Sequence, residues 1–321
     1  MLFFAIAALA IVQPAPSYDT DLLLACSAVL GERPERPGLS IIDDQSSEIE
    51  LKSFRVTVMS SGAFIRVFYD QGSERIARAR AACLGEQILA IERLVADKRR
   101  GAEWDSVVFT QNADYIPPRT SGSVTRWTVN VAPNGTLPLS GHYMVVSAIP
   151  HEQVHLWQRR LGASLPRWVA EGHATWIQRQ ITPAFDPIVA AKVNRTSDRK
   201  LQNYKGSFDL EQWGSVQPKR EAIMRQVSPE DRARMNTDPS YNPTGSFTFR
   251  PDDFEGDVAA DAAGYPAANA IFVGLARKYG VSAVQSWMTS LSSTSGAISS
   301  QAARTSVEHQ FRVVPPLTIS R

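Results

Sequence analysis

The chain has 321 residues, 43% hydrophobic and 21% charged, which is enough to bury a sizeable core and too apolar for a disordered or fibrous protein. Lysine plus arginine come to 34 against 32 aspartate plus glutamate, and the formal charge of +2 excludes nucleic-acid binding driven by bulk electrostatics. Only Cys26 and Cys83 are present, which excludes a disulfide-dense scaffold or a zinc ribbon, so a metal site has to be built mainly from histidines and carboxylates.

Leu2 to Val12 is an apolar run of signal-peptide length, followed by Pro14, Ala15 and Pro16 before the first charge at Asp19. Residues 1–16 therefore read as an export signal, and 17–50 as an N-terminal extension. Asp19 and Asp21 leave the run too short to span a membrane, and no other stretch reaches that length. Leu23-Leu24-Ala25-Cys26 resembles a lipoprotein box detached from its apolar run, so lipid anchoring ranks below a bridge from Cys26 to Cys83 in an oxidising compartment.

Phe54 to Asp70 places two β-rich runs around Ser60-Ser61-Gly62 and predicts a hairpin. From Ser73 to Ala96 the pattern switches to a helical period through Ile76, Ala79, Cys83, Ile88, Ile91 and Leu94, a helix able to cover a sheet. Strands are expected at Ser106 to Thr110 and Thr125 to Val131, the second closed by the turn signal Pro133-Asn134-Gly135. Helices follow at His142 to Leu161, Leu165 to Ile181 and Pro266 to Tyr279. Between Asn194 and Asp261 the pattern is that of a loop with a short helix at Glu221 to Met235.

Within the first of those helices lies His151-Glu152-Gln153-Val154-His155, an HExxH pattern. Residues four apart share one helix face, so both imidazoles can reach one metal ion with Glu152 beside it as a general base for a metal-bound water. Pro150 would break a helix already running from His142, so the metal helix is expected to begin near Ser147. A hydrolytic zinc site needs a third protein ligand and an open position. Glu171 stands sixteen residues after His155, beyond the turn Leu161-Gly162-Ala163-Ser164, with Pro166 suited to a helix start and Gly172 to close helix approach. His173 is the rival ligand, roughly 200° around the same helix, so only one of the two can face the metal. The metzincin pattern fails, because Gln158 and Leu161 occupy its glycine and third-histidine positions.

His151, Glu152, His155, Pro166, Trp168, Glu171 and Gly172 together resemble the gluzincin zinc metallopeptidases, specifically the peptidase-MA-like group with HExxH followed by Pro-x-Trp-x-x-Glu-Gly. The likeness extends over about Phe54 to Val314 and includes a Tyr265-led helix ending in Lys278-Tyr279-Gly280. It implies zinc held by His151, His155 and Glu171, with Glu152 activating the zinc-bound water and passing its proton to the leaving amine. By the same likeness Tyr265 donates a hydrogen bond to the oxyanion; the other reading of Tyr265 is a capping or core aromatic before Pro266. His173 departs from the group and defaults to the surface, with a hydrogen-bond donor to a metal ligand or a substrate contact as the alternatives.

The fold expected is α+β: an N-terminal mixed sheet with a covering helix in 51–162, which includes the HExxH helix, a mainly helical lobe in 163–321, and the zinc cleft between. The function expected is an exported zinc metallopeptidase. An endopeptidase is preferred because the Gly-x-Met-Glu-Asn segment of the related aminopeptidases is absent. The alternative is a catalytically inactive relative serving as a binding or assembly module of the cell envelope. Its partner is a peptide or protein substrate, with no nucleic acid and no membrane span beyond the signal segment; the sequence leaves the oligomeric state open. The substrate strand could add to the edge of the Phe54 to Phe68 hairpin or of the Trp127 to Val131 strand. Trp157, Trp168 and Trp176 are expected to pack between the motif helices.

Overall fold

A computed structural model describes residue 26 and residues 38–44, 49–95, 102–112, 115, 125–214, 216–238, 241, 243 and 249–320. The export-signal reading of 1–16 lies outside the described residues. Five strands form one mixed sheet in sequence order: β1 (Leu39–Asp44), β2 (Lys52–Val58), β3 (Phe64–Tyr69), β4 (Ser106–Thr110) and β5 (Arg126–Asn130). β1, β2 and β3 pair antiparallel, whereas β3, β4 and β5 run parallel. In β2, Phe54, Val56 and Val58 alternate with Arg55 and Thr57, and only the first set is fully buried, as a one-sided sheet requires. Helix α1 (Glu74–Val95) covers that face with Ile76, Cys83, Ile88 and Ile91, while the other face carries a small cluster of Ile49, Phe68 and Val108. β1 falls in the segment that the sequence sets apart as an extension. The predicted hairpin, β2 and β3, is internal to the sheet, which leaves β1 and β5 as the edges.

After β5 the chain becomes helical: α2 (Leu139–Tyr143), a π-helical turn (Met144–Ala148), α3 (Ile149–Leu161), α4 (Arg167–Phe185) and α5 (Pro187–Asn203). Two short helices, α6 (Arg220–Met224) and α7 (Pro229–Thr237), precede α8 (Val258–Tyr279), α9 (Val281–Ser292) and α10 (Ser300–Phe311). The mixed sheet with its covering helix and the mainly helical second lobe are the architecture the sequence predicts. Trp157, Trp168 and Trp176 are at most 1% exposed and lie in the main core. Cys26 and Cys83 form a buried disulfide. No helix among the described residues is long and apolar enough to cross a membrane.

Three expectations are corrected. The metal helix does not start afresh near Ser147, because helical backbone runs unbroken from Leu139 to Leu161. The π turn absorbs Pro150: Ile149 N–H reaches back to Met144 O, and Gln87 Nε2 of α1 donates to Val145 O at 2.7 Å. In the π register that carbonyl would pair with the N–H of residue 150, which proline lacks. The helix expected from Pro266 begins at Val258, capped by Asp257 Oδ1 accepting from the amides of Ala259 and Ala260, so Pro266 is interior. Third, α5 occupies 187–203, part of which the sequence pattern assigns to a loop.

Candidate metal centre

α3 is pinned to the sheet by the residue between its two histidines. Gln153 is buried, its Oε1 accepting the amide of Asp105 at 3.2 Å and its Nε2 donating to Asp105 O at 3.1 Å, at the entry to β4. Gly162, at φ 106°, ends α3 in the left-handed region, and Ala163–Ser164 pairs with Gly296–Ala297 to hold the reversal into α4. Pro166 caps α4 at its start. Gly172 then lets α4 approach α8, since a Cβ there would stand 2.9 Å from the Phe272 ring and 3.0 Å from Ala268 O.

This packing brings His151, His155 and Glu171 together. The Nε2 atoms of His151 and His155 are 3.1 Å apart, and Glu171 Oε2 lies 3.1 Å from the first and 3.2 Å from the second. Four ligands placed tetrahedrally at about 2.0–2.1 Å from zinc stand about 3.3 Å from one another, so this triangle has the size of one face of such a site. The three groups form a cluster able to coordinate a metal ion.

The surrounding hydrogen bonds set the protonation of the donors. Gln158 Nε2 donates to Ala170 O at 3.0 Å, which turns its Oε1 toward His155 Nδ1 at 2.9 Å. With Nδ1 carrying the proton, neutral His155 presents a bare Nε2 to the cluster, the form a metal ligand requires. Burial opposes charge on His155, but the hydrogen bond and charge of Glu171 outweigh it and raise the imidazole pKa. Burial likewise opposes charge on Glu171, yet hydrogen bonds from His151 and His155 hold its carboxyl well below the usual carboxylate range.

His173 is brought elsewhere. It is fully buried, its Nδ1 3.2 Å from Gln158 Nε2 and its Nε2 3.2 Å from Gln285 Oε1. The surface default is thereby overturned: His173 closes a chain from His155 through Gln158 to Gln285 of α9. Burial pushes its pKa down to about 3, the hydrogen bond to Gln285 opposing and His155 adding to the shift, so the ring is neutral.

Glu152 shares a cleft of ≈ 650 Å³ with His151 and Tyr265, walled by α2, α3, α4, α5 and α8. The Tyr265 ring centroid is 6.5 Å from that of His151. Arg167 Nη2 donates to Tyr265 Oη at 3.1 Å, and its Nη1 reaches Asp261 Oδ1 at 2.5 Å and also Gly214 O. The same guanidinium lies 4.3 Å over the Trp213 ring, whose Nε1 donates to Asp261. Burial raises the Tyr265 pKa, Glu171 adding and Arg167 opposing, so the phenol keeps its proton at neutral pH. Gln158, Arg167, Asp261 and Gln285 carry no motif of their own; only the placement of Arg167 directly after Pro166, four residues before Glu171, signals its position beside the site.

No family profile matches the chain, and no curated protein matches it. Among solved structures it is similar to a mutant M1 zinc metallopeptidase from Deinococcus radiodurans, at 14% identity and a TM-score of 0.35. That match covers 87% of this chain, which spans about half (54%) of the other. The geometry of the cluster, rather than this distant likeness, carries the functional reading.

Proposed function

We propose that the protein is an exported zinc-dependent metallopeptidase of the gluzincin type, acting as an endopeptidase. The observation that carries this reading is the convergence of His151, His155 and Glu171 on one point, with Glu152 and Tyr265 lining the cleft beside it. Zinc held by those three residues would supply Lewis acidity, lowering the pKa of a water and polarising a carbonyl. Glu152 takes the proton of the attacking water and returns it to the departing amine. Tyr265, kept protonated and oriented by Arg167, donates its Oη–H to the developing oxyanion. Gln158 holds His155 in its metal-binding tautomer. The outer edge of β5 offers backbone groups for an extended peptide, and its end at Asn130 abuts Gly141 of α2. The Cys26–Cys83 disulfide supports export, since such bonds persist in oxidising compartments.

Elemental analysis of the purified chain is expected to return one zinc per chain. Glu152→Gln retains that zinc while hydrolysis of a peptide library is abolished; a fully active variant removes Glu152 as the base. Glu171→Ala loses the zinc, and loss from His173→Ala with retention in Glu171→Ala reverses the ligand assignment.

A further inference from the structure

Along α5, Val189, Lys192, Val193, Thr196, Ser197 and Lys200 recur at helical spacing and line the same cleft as His151, Glu152 and Tyr265. Glu152 is the only carboxylate among the lining residues of that cleft. The acidic residues of the helices around it are engaged elsewhere. Asp186 binds His142 at 2.7 Å and caps α5, Asp198 binds Arg179 at 2.9 Å, and Asp261 binds Arg167. Among the described residues, Lys192 and Lys200 make no ion pair with any of them. The cleft wall therefore presents two cations without internal counter-charge, in a chain whose overall charge is only +2. The lysines stand about 12 Å apart along the helix axis, so their flexible stems can converge on one group above Thr196.

We infer that this wall selects substrates bearing a carboxylate, bound by Lys192 and Lys200 while the scissile bond lies at Glu152. The inference rests on the peptidase reading and adds its substrate class: a peptide whose acidic side chain or free C-terminus falls over α5. An anionic group there meets uncompensated charge in a recess partly shielded from solvent, which favours both encounter and retention. Both lysines are exposed, so the preference is modest and salt-sensitive.

The test uses the zinc-loaded full chain and peptides of one neutral sequence. One form is amidated, one has a free C-terminus, and a series is amidated with a single Glu at successive positions. We expect one carboxylate-bearing form to be cleaved with kcat/KM raised about fivefold over the neutral amide, a preference that shrinks in about 1 M salt. Whether the free C-terminus or an internal Glu is preferred identifies the source of the carboxylate. In the double variant Lys192→Gln, Lys200→Gln the ratio falls to about one, whereas Arg195→Gln, on the outward face of α5, leaves it unchanged. Equal cleavage of all forms, or a preference that survives the double variant, overturns the inference while leaving the peptidase reading intact. Binding of the same peptides to Glu152→Gln, read by fluorescence anisotropy, decides the matter without turnover. If nothing is cleaved but carboxylate-dependent binding disappears with the two lysines, recognition of a carboxylate by this wall stands as a ligand site, while the hydrolase reading and the placement of a scissile bond at Glu152 fall; charge-independent binding overturns the inference.

Discussion

Gln158 Oε1 lies 2.9 Å from His155 Nδ1, and this contact selects which imidazole nitrogen faces Glu171. The same amide donates to the carbonyl of Ala170, the residue before Glu171, so one side chain orients ligands on two helices. Gln158→Leu removes both contacts and is expected to weaken zinc binding about 10- to 100-fold. Gln158→Glu keeps the acceptor for His155 but loses the donor to Ala170, and should fall between the two. Competition with a chromophoric chelator measures each affinity; values equal to that of the unsubstituted protein would deny Gln158 any part in presenting His155.

Tyr265 receives Arg167 Nη2 on its hydroxyl oxygen, which leaves the phenolic proton free to point into the cleft. Tyr265→Phe removes one oxyanion donor and should lower kcat about 10²- to 10³-fold, with KM and zinc content little changed. Steady-state kinetics with parallel zinc analysis separates the outcomes. A rise in KM at constant kcat would make the hydroxyl a substrate-binding group instead.

At Gly172, α4 packs closely against α8. Gly172→Ala drives a methyl against the Phe272 ring and the Ala268 carbonyl, and the backbone carbonyl has little room to yield. Overpacking of this kind costs about 1–3 kcal/mol. Because Glu171 is the adjacent residue, the shift of α4 should also reduce zinc affinity. Urea unfolding and chelator competition read the two effects; a loss of stability with unaltered zinc affinity would show that α4 tilts without moving Glu171.

Residues 26 and 83 are bridged across a sequence separation of 57, and the bond ties the N-terminal part of the chain to α1. Replacing both cysteines with serine should lower the unfolding free energy by about 2–4 kcal/mol, through restored freedom of the unfolded chain and the loss of buried packing. Denaturant titration of the double variant checks this, and a midpoint equal to that of the parent would place the stabilising role of the bridge in doubt.

Strands β2 to β5 and the histidine pair of the metal cluster were readable because their signals are local, whereas β1 fell in the segment read as an extension. Alternation in β2 and the four-residue spacing of His151 and His155 each come from the geometry of one element. Helix α5 was not readable, because its inward face mixes Val189 and Val193, which reach the core, with Lys192, Thr196, Ser197 and Lys200, which line a cleft and break the apolar period. The start of α8 was hidden by Pro266, a residue whose usual place is a helix start, while the observed cap is Asp257, nine residues earlier. His173 is buried through Gln158 and Gln285, the second 112 residues away, and no local pattern announces a partner at that distance.

His173 also gives the fold a predictable response to acid. Its pKa is about 3 in the folded chain, mainly through burial, against 6.5 for the free side chain. Above pH 6.5 the ring is neutral in both states and its contribution does not vary. As pH falls below 6.5 the unfolded chain takes up a proton that the folded chain refuses, so stability declines by up to about 1.4 kcal/mol per unit toward pH 3. Carboxylates held low, such as Glu171 and Asp70, lose their contribution only as pH falls through the carboxylate range, which leaves pH 6.5 to 5 for His173. His155, with its raised pKa, acts in the opposite sense but is common to both proteins compared. His173→Phe puts an aromatic ring among Trp157, Trp176 and Phe272 and forfeits the hydrogen bonds to Gln158 and Gln285, a cost independent of pH. Urea unfolding at pH 7 and pH 5 should show the parent losing about 2 kcal/mol more than the variant over that interval. Equal losses would mean that the folded chain protonates His173 readily, and so that the buried chain from His155 to Gln285 opens under mild acid.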